Sequence, residues 1–437
     1  MCHTYLYNIF MFNPYYRGGN MAHLKNKFKE FYAPKNMHKF LSPLHRETLN
    51  TLIEKYQADK WVQSLFTFNL VKLHLLMHLV KLRYITLRAI VRFSDNLLFK
   101  LFTGLNRLSP NGLSKAHKDL DYHLLADLFY QLLLSLKKKT KKRLLGKIKI
   151  FDTTFLMLSL KLSPWSARCN GKGCVKLGLR IDDGNLLPDK VAIDTKSTND
   201  NNLFAEMISF DLSGITYLFD RGFYTIEILE RIQKTKNFFI TRLSPHYTYR
   251  ILKDLQCPED TNHPASGENI EIIKDQIIQI GSKRKQTHTL FRLITAQIQE
   301  GETLFFLTNR FDLPAIKVCE WYKHRWQIEI LFKWLKQYLR INQFISRSEN
   351  GVMTQIYMTL IFHLLLILYR DQTKQILAHP GKSKVSLLET ISQLENQIVN
   401  DLIHILFYQG VLLGWWLALP LTPSPKRKSR TLKSWGQ

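Results

Sequence analysis

Four polar residues in the segment Glu320–Ile341 (EWYKHRWQIEILFKWLKQYLRI) carry side chains suited to phosphate chemistry. Tyr322, Arg325, Glu329 and Lys336 stand at offsets of zero, three, seven and fourteen. At about 100° per helical residue these offsets fall at roughly 0°, 300°, 340° and 320°, a single stripe about 60° wide. Trp321, Trp326, Ile328, Ile330, Leu331, Phe332, Trp334 and Leu335 flank the stripe, and a helix so apolar around its circumference is normally buried. Burying a carboxylate, a guanidinium and an ammonium together is costly unless they meet charged ligands. One carboxylate among cations points to a metal ion beside a phosphate. The plainer alternative is a solvated face on which Glu329 and Lys333 form an ordinary i,i+4 pair.

A metal at such a stripe needs further oxygen ligands, and two aspartates qualify. Asp152 follows an apolar strand in FDTTF, and Asp220 follows another in LFDRGFY, where Gly222 is expected to permit a sharp turn into a helix. Ligands of open sheets bind at strand ends. Two carboxylates from strand ends and one from a helix suit a pair of divalent cations about 4 Å apart, which activate a water or 3′ hydroxyl and stabilise the leaving oxygen of a phosphodiester. An all-oxygen site of this kind suits magnesium or manganese. Asp182, Asp183, Asp194 and Asp211 compete for the role. Asp152 and Asp220 are preferred because each directly follows an apolar strand core and precedes a turn or hydroxyl residue.

The elements that must position these residues change in character along the chain. From about Leu41 to Leu136 apolar residues recur at helical spacing, with helices expected over Ile85–Phe102 and Leu108–Phe129 around a Ser-Pro-Asn-Gly turn that resembles a helix terminus facing a phosphate. The period then becomes two. Strands are expected at Lys147–Thr154, Cys174–Ile181, Lys190–Thr195, Thr216–Asp220 and Phe238–Arg242, with helices over Asn202–Ser209 and Tyr224–Thr235. This order gives a mixed α/β domain with one antiparallel meander. Residues 244–303 read as a β-rich insertion. Strand Leu304–Asn309, the long polar-striped helix and an apolar helix over Gly351–Tyr369 follow. The expected organisation is thus an extension over 1–38, a helical DNA-binding domain over 39–143, a core in two parts over 144–243 and 304–372 around the insertion, and a C-terminal helical region with a basic tail over 373–437.

Composition bounds the partner. The 437 residues carry 62 Lys+Arg against 35 Asp+Glu, a net charge of +27 in a chain of ordinary hydrophobicity, which favours a polyanion such as nucleic acid. Basic clusters at Lys137–Arg143, Lys283–Lys285 and Lys426–Arg430 spread that charge along the chain, as tracking of a DNA backbone requires. Five cysteines, an odd number, argue against a disulfide framework and for a reducing compartment. Cys169 and Cys174 enclose a loop, but no second pair completes a zinc site. The first twenty residues, rich in Tyr and Phe before Met21, lack the pattern of a signal peptide and read as an upstream extension. The run Leu402–Leu421 is long enough to span a membrane, yet it contains His404, Gln409, Gly410 and Pro420; a buried C-terminal helix is the preferred reading.

The spacing Tyr322-x2-Arg325-x3-Glu329-x6-Lys336 resembles the Tyr-Arg-Glu-Lys signature of the DDE transposases of bacterial insertion sequences, in the insertion-sequence-four family. FDTTF and DRGFY resemble the surroundings of that family's first and second aspartates. LTNRFDLPA and FISRSENGVMTQIYMTLIFHLL resemble its sequence on either side of the signature, and the YQADK element is similar to the N-terminal domain of one branch. The resemblance runs from about Lys39 to Arg370; the region after Asp371 departs from it. It implies an RNase H-like catalytic core with a β-rich insertion, preceded by an all-helical N-terminal domain. It further implies that Asp152, Asp220 and Glu329 hold two Mg²⁺ ions, with Mn²⁺ as a substitute, while Tyr322, Arg325 and Lys336 grip DNA phosphates. The implied activity is cut-and-paste transposition through a hairpin intermediate, acting on terminal inverted repeats and target DNA in a dimeric synaptic complex. That places the protein in the bacterial cytoplasm, associated with the nucleoid and not with a membrane. Residue chemistry alone leaves open a nuclease without strand transfer, or a DNA-binding relative without catalysis.

Overall fold

The computed structural model describes residues 39–139, 148–255, 270–298, 301–377 and 386–397, apart from 64, 81–85, 106, 185, 197–199, 245, 283–284 and 388. The expected N-terminal extension, the apolar run Leu402–Leu421, the basic tail and the side chains of all three basic clusters lie outside the described residues. The chain divides into two compact units, Pro43–Leu368 and a smaller one joining Met1–Ser42 to Tyr369–Gln437. In the smaller unit Phe40 packs edge-on against Tyr369 at 6.0 Å, and the Tyr369 hydroxyl donates to Gln397.

The larger unit begins with six helices: α1 (Arg46–Lys55), α2 (Thr67–Leu79), α3 (Leu87–Phe93), α4 (Leu97–Thr103), α5 (Pro110–Asp119) and α6 (His123–Lys139). Both helices expected from periodicity are broken in two. The second breaks at Leu120, whose extended backbone (φ −68°, ψ 116°) ends α5. Asn350, from the far end of the chain, makes this break tolerable. Its Nδ2 donates to the carbonyls of Lys118 (2.9 Å), His117 (3.3 Å) and Leu120, and its Oδ1 accepts from the Tyr122 amide (3.1 Å). Backbone groups orphaned at a helix end are thereby satisfied from outside the helix. The expected phosphate-facing terminus is already capped by its own Ser109, which accepts from the Gly112 amide at 3.0 Å. Two buried histidines, His74 and His117, and the half-buried His78 lie in this region. His74 and His117 meet through their Nε2 atoms at 2.9 Å, and burial pushes the pKa of His74 well down and that of His78 to about 4, so both are neutral.

A ten-stranded mixed sheet follows, in the order β2-β3-β1-β5-β6-β10-β9-β8-β7, with β4 on the outer edge of β3 beside β2. Its strands are β1 (Ile148–Leu158), β2 (Ala167–Cys169), β3 (Lys172–Asp182), β4 (Pro188–Asp194), β5 (Thr216–Leu218), β6 (Phe238–Arg242), β7 (Tyr249–Asp254), β8 (Ile270–Ser282), β9 (Lys285–Ile298) and β10 (Thr303–Thr308). Only the β1–β5 and β5–β6 ladders are parallel; the rest are antiparallel. The residues expected as an insertion, β7 to β9, continue the same sheet through β10 instead of forming a sheet of their own. A buried ion pair reinforces the β8–β9 hairpin. Buried Arg292 on β9 grips Asp275 on β8 with two bonds, at 2.9 and 2.6 Å, and donates to the carbonyls of Arg310 and Leu313, just before the helix that bears Tyr322.

Helices α7 (Asp200–Met207) and α8 (Ile226–Lys234) cover one face of the sheet, with Phe151, Phe204, Phe219, Phe239 and Phe291 in a shared apolar core. Helices α9 (Ala315–Lys323) and α10 (Trp326–Gln337) lie against strands β6 and β1 on the other face. The long α11 (Glu349–Leu377) is apolar enough by length and composition to cross a bilayer, yet its Gly351–Leu368 stretch is buried in the fold, as expected for a core helix. Asn350→Ala is expected to lower unfolding stability by about 2 kcal/mol, since it leaves several carbonyls without donors. Denaturant titration should register the loss, and hydrogen exchange should quicken at the Tyr122 amide. Unchanged values in both would remove Asn350 from this bracing role.

Candidate active site

Asp152 and Asp220 owe their proximity to register. Parallel β1 and β5 pair Ile148 with Thr216, Lys149 with Tyr217 and Ile150 with Leu218. Two residues further along β1 stands Asp152, and two residues past the end of β5 stands Asp220. Asp152 is not at a strand end, as the sequence suggested. β1 runs on to Leu158 because β3 pairs with it throughout, and only its other neighbour, β5, stops at Leu218. The opening is thus the end of one ladder, not of the strand. Gly222 also departs from expectation: it takes no positive φ, and a Cβ added there meets nothing within 4 Å. The turn after Asp220 does not require glycine.

The segment Glu320–Ile341 is not one helix. It breaks between α9 and α10, where the amides of His324, Arg325, Gln327 and Ile328 bond back three residues instead of four. Such tightening winds the chain locally as a 3₁₀ turn. Nevertheless the four polar residues all reach the same place. The Tyr322 hydroxyl donates to Asp220 Oδ1 at 3.4 Å. Arg325 donates from Nη1 to Asp152 Oδ2 at 3.3 Å and from Nη2 to Glu329 Oε1 at 2.5 Å. Lys336 donates to Thr154 Oγ1 at 2.5 Å, one residue pair along β1 from Asp152. Glu329 therefore pairs back to Arg325, as the solvated-face alternative did not anticipate. The apolar flank is also less uniform than its composition implies: Leu331 and Leu335 are buried, whereas Trp326 and Ile330 are exposed.

Two groups escaped the sequence reading. Arg242, the last residue of β6, contacts Asp220 Oδ1 at 3.3 Å. A single arginine ending a strand carries no periodic signal, and only the parallel β5–β6 pairing brings it there. Asp183, set aside as a competitor, braces the helix break from the β3–β4 turn. It accepts from Gln327 Nε2 at 2.6 Å and meets His324 Nδ1 at 3.0 Å, while the Gly184 amide donates to Gln327 Oε1 at 2.8 Å. The Asp183 bond raises the His324 pKa, and that same pair helps hold Asp183 low. Asp182 is spent on a buried network with Lys149, which also holds Asp189 at 2.7 Å. Asp194 accepts from the Lys196 amide at 2.8 Å. Asp182, Asp183 and Asp194 thus serve the scaffold.

Electrostatics mark the cluster as a site under tension. Burial, with Glu329 and Asp220 adding to it and Arg325 opposing, pushes the Asp152 carboxyl up to about 6. Burial raises the Tyr322 phenol to about 12, so it stays a hydrogen-bond donor. Burial lowers the Lys336 amine, which makes no ion pair with a carboxylate among the described residues. No group of three His, Cys, Asp or Glu side chains converges closely enough to hold a metal ion among the described residues. The donor set nonetheless fits a divalent cation in chemistry: three carboxylates share one opening, and a guanidinium already lies between two of them.

The sequence profile of the transposase DDE domain matches residues 145–365, the span that carries all of these groups. The chain belongs to that family, whose members cleave and transfer DNA strands with divalent metal ions. Its relatives agree. It is 28% identical over 271 residues to a putative transposase, y4zB, of Sinorhizobium fredii, covering 60% of this chain and 74% of that one. It is 27% identical over 290 residues to a putative transposase for insertion sequence element IS4SA of Synechocystis, covering 64% and 75%. A transposase for insertion sequence element IS231D of Bacillus thuringiensis is 22% identical over 368 residues, covering 70% and 76%. Among solved structures, a piggyBac transposase synaptic complex with hairpin DNA aligns at 10% identity with a TM-score of 0.45, over 87% of this chain and 83% of that one.

Ionised Asp152 costs stability in this arrangement. Its folded pKa of about 6 lies above its ordinary value near 3.8, so its stabilising contribution is full below the lower value and is lost as pH rises through the upper one. Asp152→Asn is therefore expected to raise stability at pH 7.5 in EDTA by about 1–3 kcal/mol, with the gain shrinking as pH falls to 5. Thermal melts at the two pH values test this; a gain independent of pH would show that Asp152 carries no such ionisation cost.

Proposed function

We propose that this chain is the transposase of an insertion sequence of the insertion-sequence-four type, excising its element by cut-and-paste chemistry on an RNase H-like core. The observation that carries the reading is the meeting of Asp152, Asp220 and Glu329 at the end of the β1–β5 ladder, with Tyr322, Arg325 and Lys336 around them. In this reading the three carboxylates hold two Mg²⁺ ions, for which Mn²⁺ can substitute. Bound there, the ions supply an activated water or 3′ hydroxyl and stabilise the leaving oxygen.

The chain's own residues do the rest. Tyr322 remains a neutral phenol and donates to a phosphate oxygen. Lys336 offers a positive charge with no carboxylate partner among the described residues, which suits a bridging or terminal phosphate. Arg325 supplies a fork of donors for the strand being cut. The helical segment over 39–143 reads the terminal inverted repeats of double-stranded DNA, and the basic balance of the whole chain holds the backbone. Two copies hold two ends in the synaptic complex, on DNA in the bacterial nucleoid.

Purified protein with Mg²⁺ and a duplex bearing the element's ends is expected to cleave that duplex and join it to target DNA. Cleavage without joining would make it a nuclease, and binding alone an inactive relative. Asp152→Ala, Asp220→Ala and Glu329→Ala are each expected to slow cleavage by roughly a thousandfold, about 4 kcal/mol, while end binding in a mobility shift holds within a few-fold. Retained cleavage in any of the three would remove that residue from the site. For Lys336→Ala, affinity for the ends should fall, and the salt dependence of binding should flatten by about one phosphate contact; an unchanged salt slope would count against a phosphate role.

A further inference from the structure

Each carboxylate of the proposed site is already neutralised from within the chain. Arg325 spans Asp152 at 3.3 Å and Glu329, and Arg242 contacts Asp220 at 3.3 Å. Two guanidiniums thus stand against three carboxylates, leaving a single net negative charge where a divalent ion would have to enter. A dication arriving among both arginines would invert the local charge; one arriving after they leave would meet three carboxylates.

The contacts differ in length: Arg325 meets Glu329 at 2.5 Å, whereas its contact to Asp152 and that of Arg242 to Asp220 are both 3.3 Å. Both arginines contact their acids through Nη atoms only, and the Nε of each is buried without a hydrogen-bond partner among the described residues. A guanidinium has five N–H donors in a planar fork that matches a phosphate in two bonds, so a phosphate suits each arginine as an alternative partner to its carboxylate. The side chains of Asp220, Glu329 and Arg242 are about a third exposed, which gives a polyanion access to the cluster. Meanwhile the backbone around Arg325 is fixed, because Asp183 grips both His324 and Gln327 on either side of it. A change of partner by Arg325 is therefore a side-chain rotation and needs no movement of the helix break.

We infer that Arg242 and Arg325 act together as a lock on the carboxylate site, which opens when the phosphates of a DNA end draw both guanidiniums away. Metal loading is thereby coupled to capture of the correct DNA, and unbound enzyme is kept from cutting at random. The inference rests on the reading of Asp152, Asp220 and Glu329 as the metal-binding carboxylates.

The test is Mn²⁺ affinity of the full chain, followed by the electron paramagnetic resonance of free Mn²⁺, with and without a pre-cleaved end duplex. Wild-type protein is expected to bind Mn²⁺ at least tenfold more tightly with the duplex than without it. Without DNA, Arg325→Gln and the double variant with Arg242→Gln are expected to bind Mn²⁺ at least tenfold more tightly than wild type. Arg325→Lys keeps a cation in place and should stay near the wild-type value, which separates charge from altered packing. Circular dichroism checks that each variant folds. Asp152→Asn and Glu329→Gln locate the metal. If they abolish Mn²⁺ binding while the arginine variants leave it unchanged, the lock is overturned and the site stands. If they leave Mn²⁺ binding intact, the site reading is overturned and the lock with it.

Discussion

Three backbone pairs between the parallel strands β1 and β5 set the geometry on which the candidate cluster depends. Parallel pairing carries equal residue steps along both chains in the same direction, so the positions after Ile150 and Leu218 advance together to Asp152 and Asp220. β3 then extends β1 beyond that point on the opposite side, which keeps Asp152 within a rigid ladder while its β5 side is open. The helices on the same face deliver Glu329, Arg325, Tyr322 and Lys336 to that opening. A slip of one residue in the short β5 ladder would turn Asp152 and Asp220 to opposite faces. The apolar packing of Tyr217 and Phe219 on the far side opposes such a slip.

Charge governs what the scaffold must tolerate. Three carboxylates and two guanidiniums at a partly buried opening are worse for stability than an apolar cluster of the same volume. Separate, fully buried ion pairs stand elsewhere in the fold. Lys149 and Arg180 compensate Asp182 and Asp189, and Arg292 compensates Asp275. Those pairs hold strands and loops in place. At the cluster Arg325 meets Glu329 at 2.5 Å but Asp152 only at 3.3 Å, Arg242 meets Asp220 at 3.3 Å, and the Nε of each arginine has no hydrogen-bond partner among the described residues.

Much of the architecture was legible from local pattern. The strand Phe238–Arg242 was placed to the residue, and β3, β4, β10 and α8 to within a few residues, because period-two and period-3.6 patterns there are uninterrupted. The misses share a cause. The breaks at Leu120 and at His324–Arg325 are stabilised by Asn350 and by Asp183, distant partners that no local window contains. Similarly, β2 is three residues long and exists only as the edge of a hairpin with β3. The long extension of β1 past Asp152 depends on β3, not on the sequence FDTTFLML itself.

By itself the sequence determined which side chains were available for chemistry: a stripe of four polar residues of fixed type and spacing, two aspartates after apolar strands, and a strongly basic balance. These are local properties, set by side-chain identity and by the helical and strand periods. Tertiary structure alone decided which carboxylates met. Asp152 and Asp220 were brought together by the register of a three-residue ladder, while Asp182 and Asp183, equally acidic, were drawn into a buried network and a helix brace. It alone also brought in Arg242 and put Arg325 between Asp152 and Glu329. The physical reason is that charge compensation acts through space, over a few ångströms and up to 173 positions of chain, and no local period encodes it.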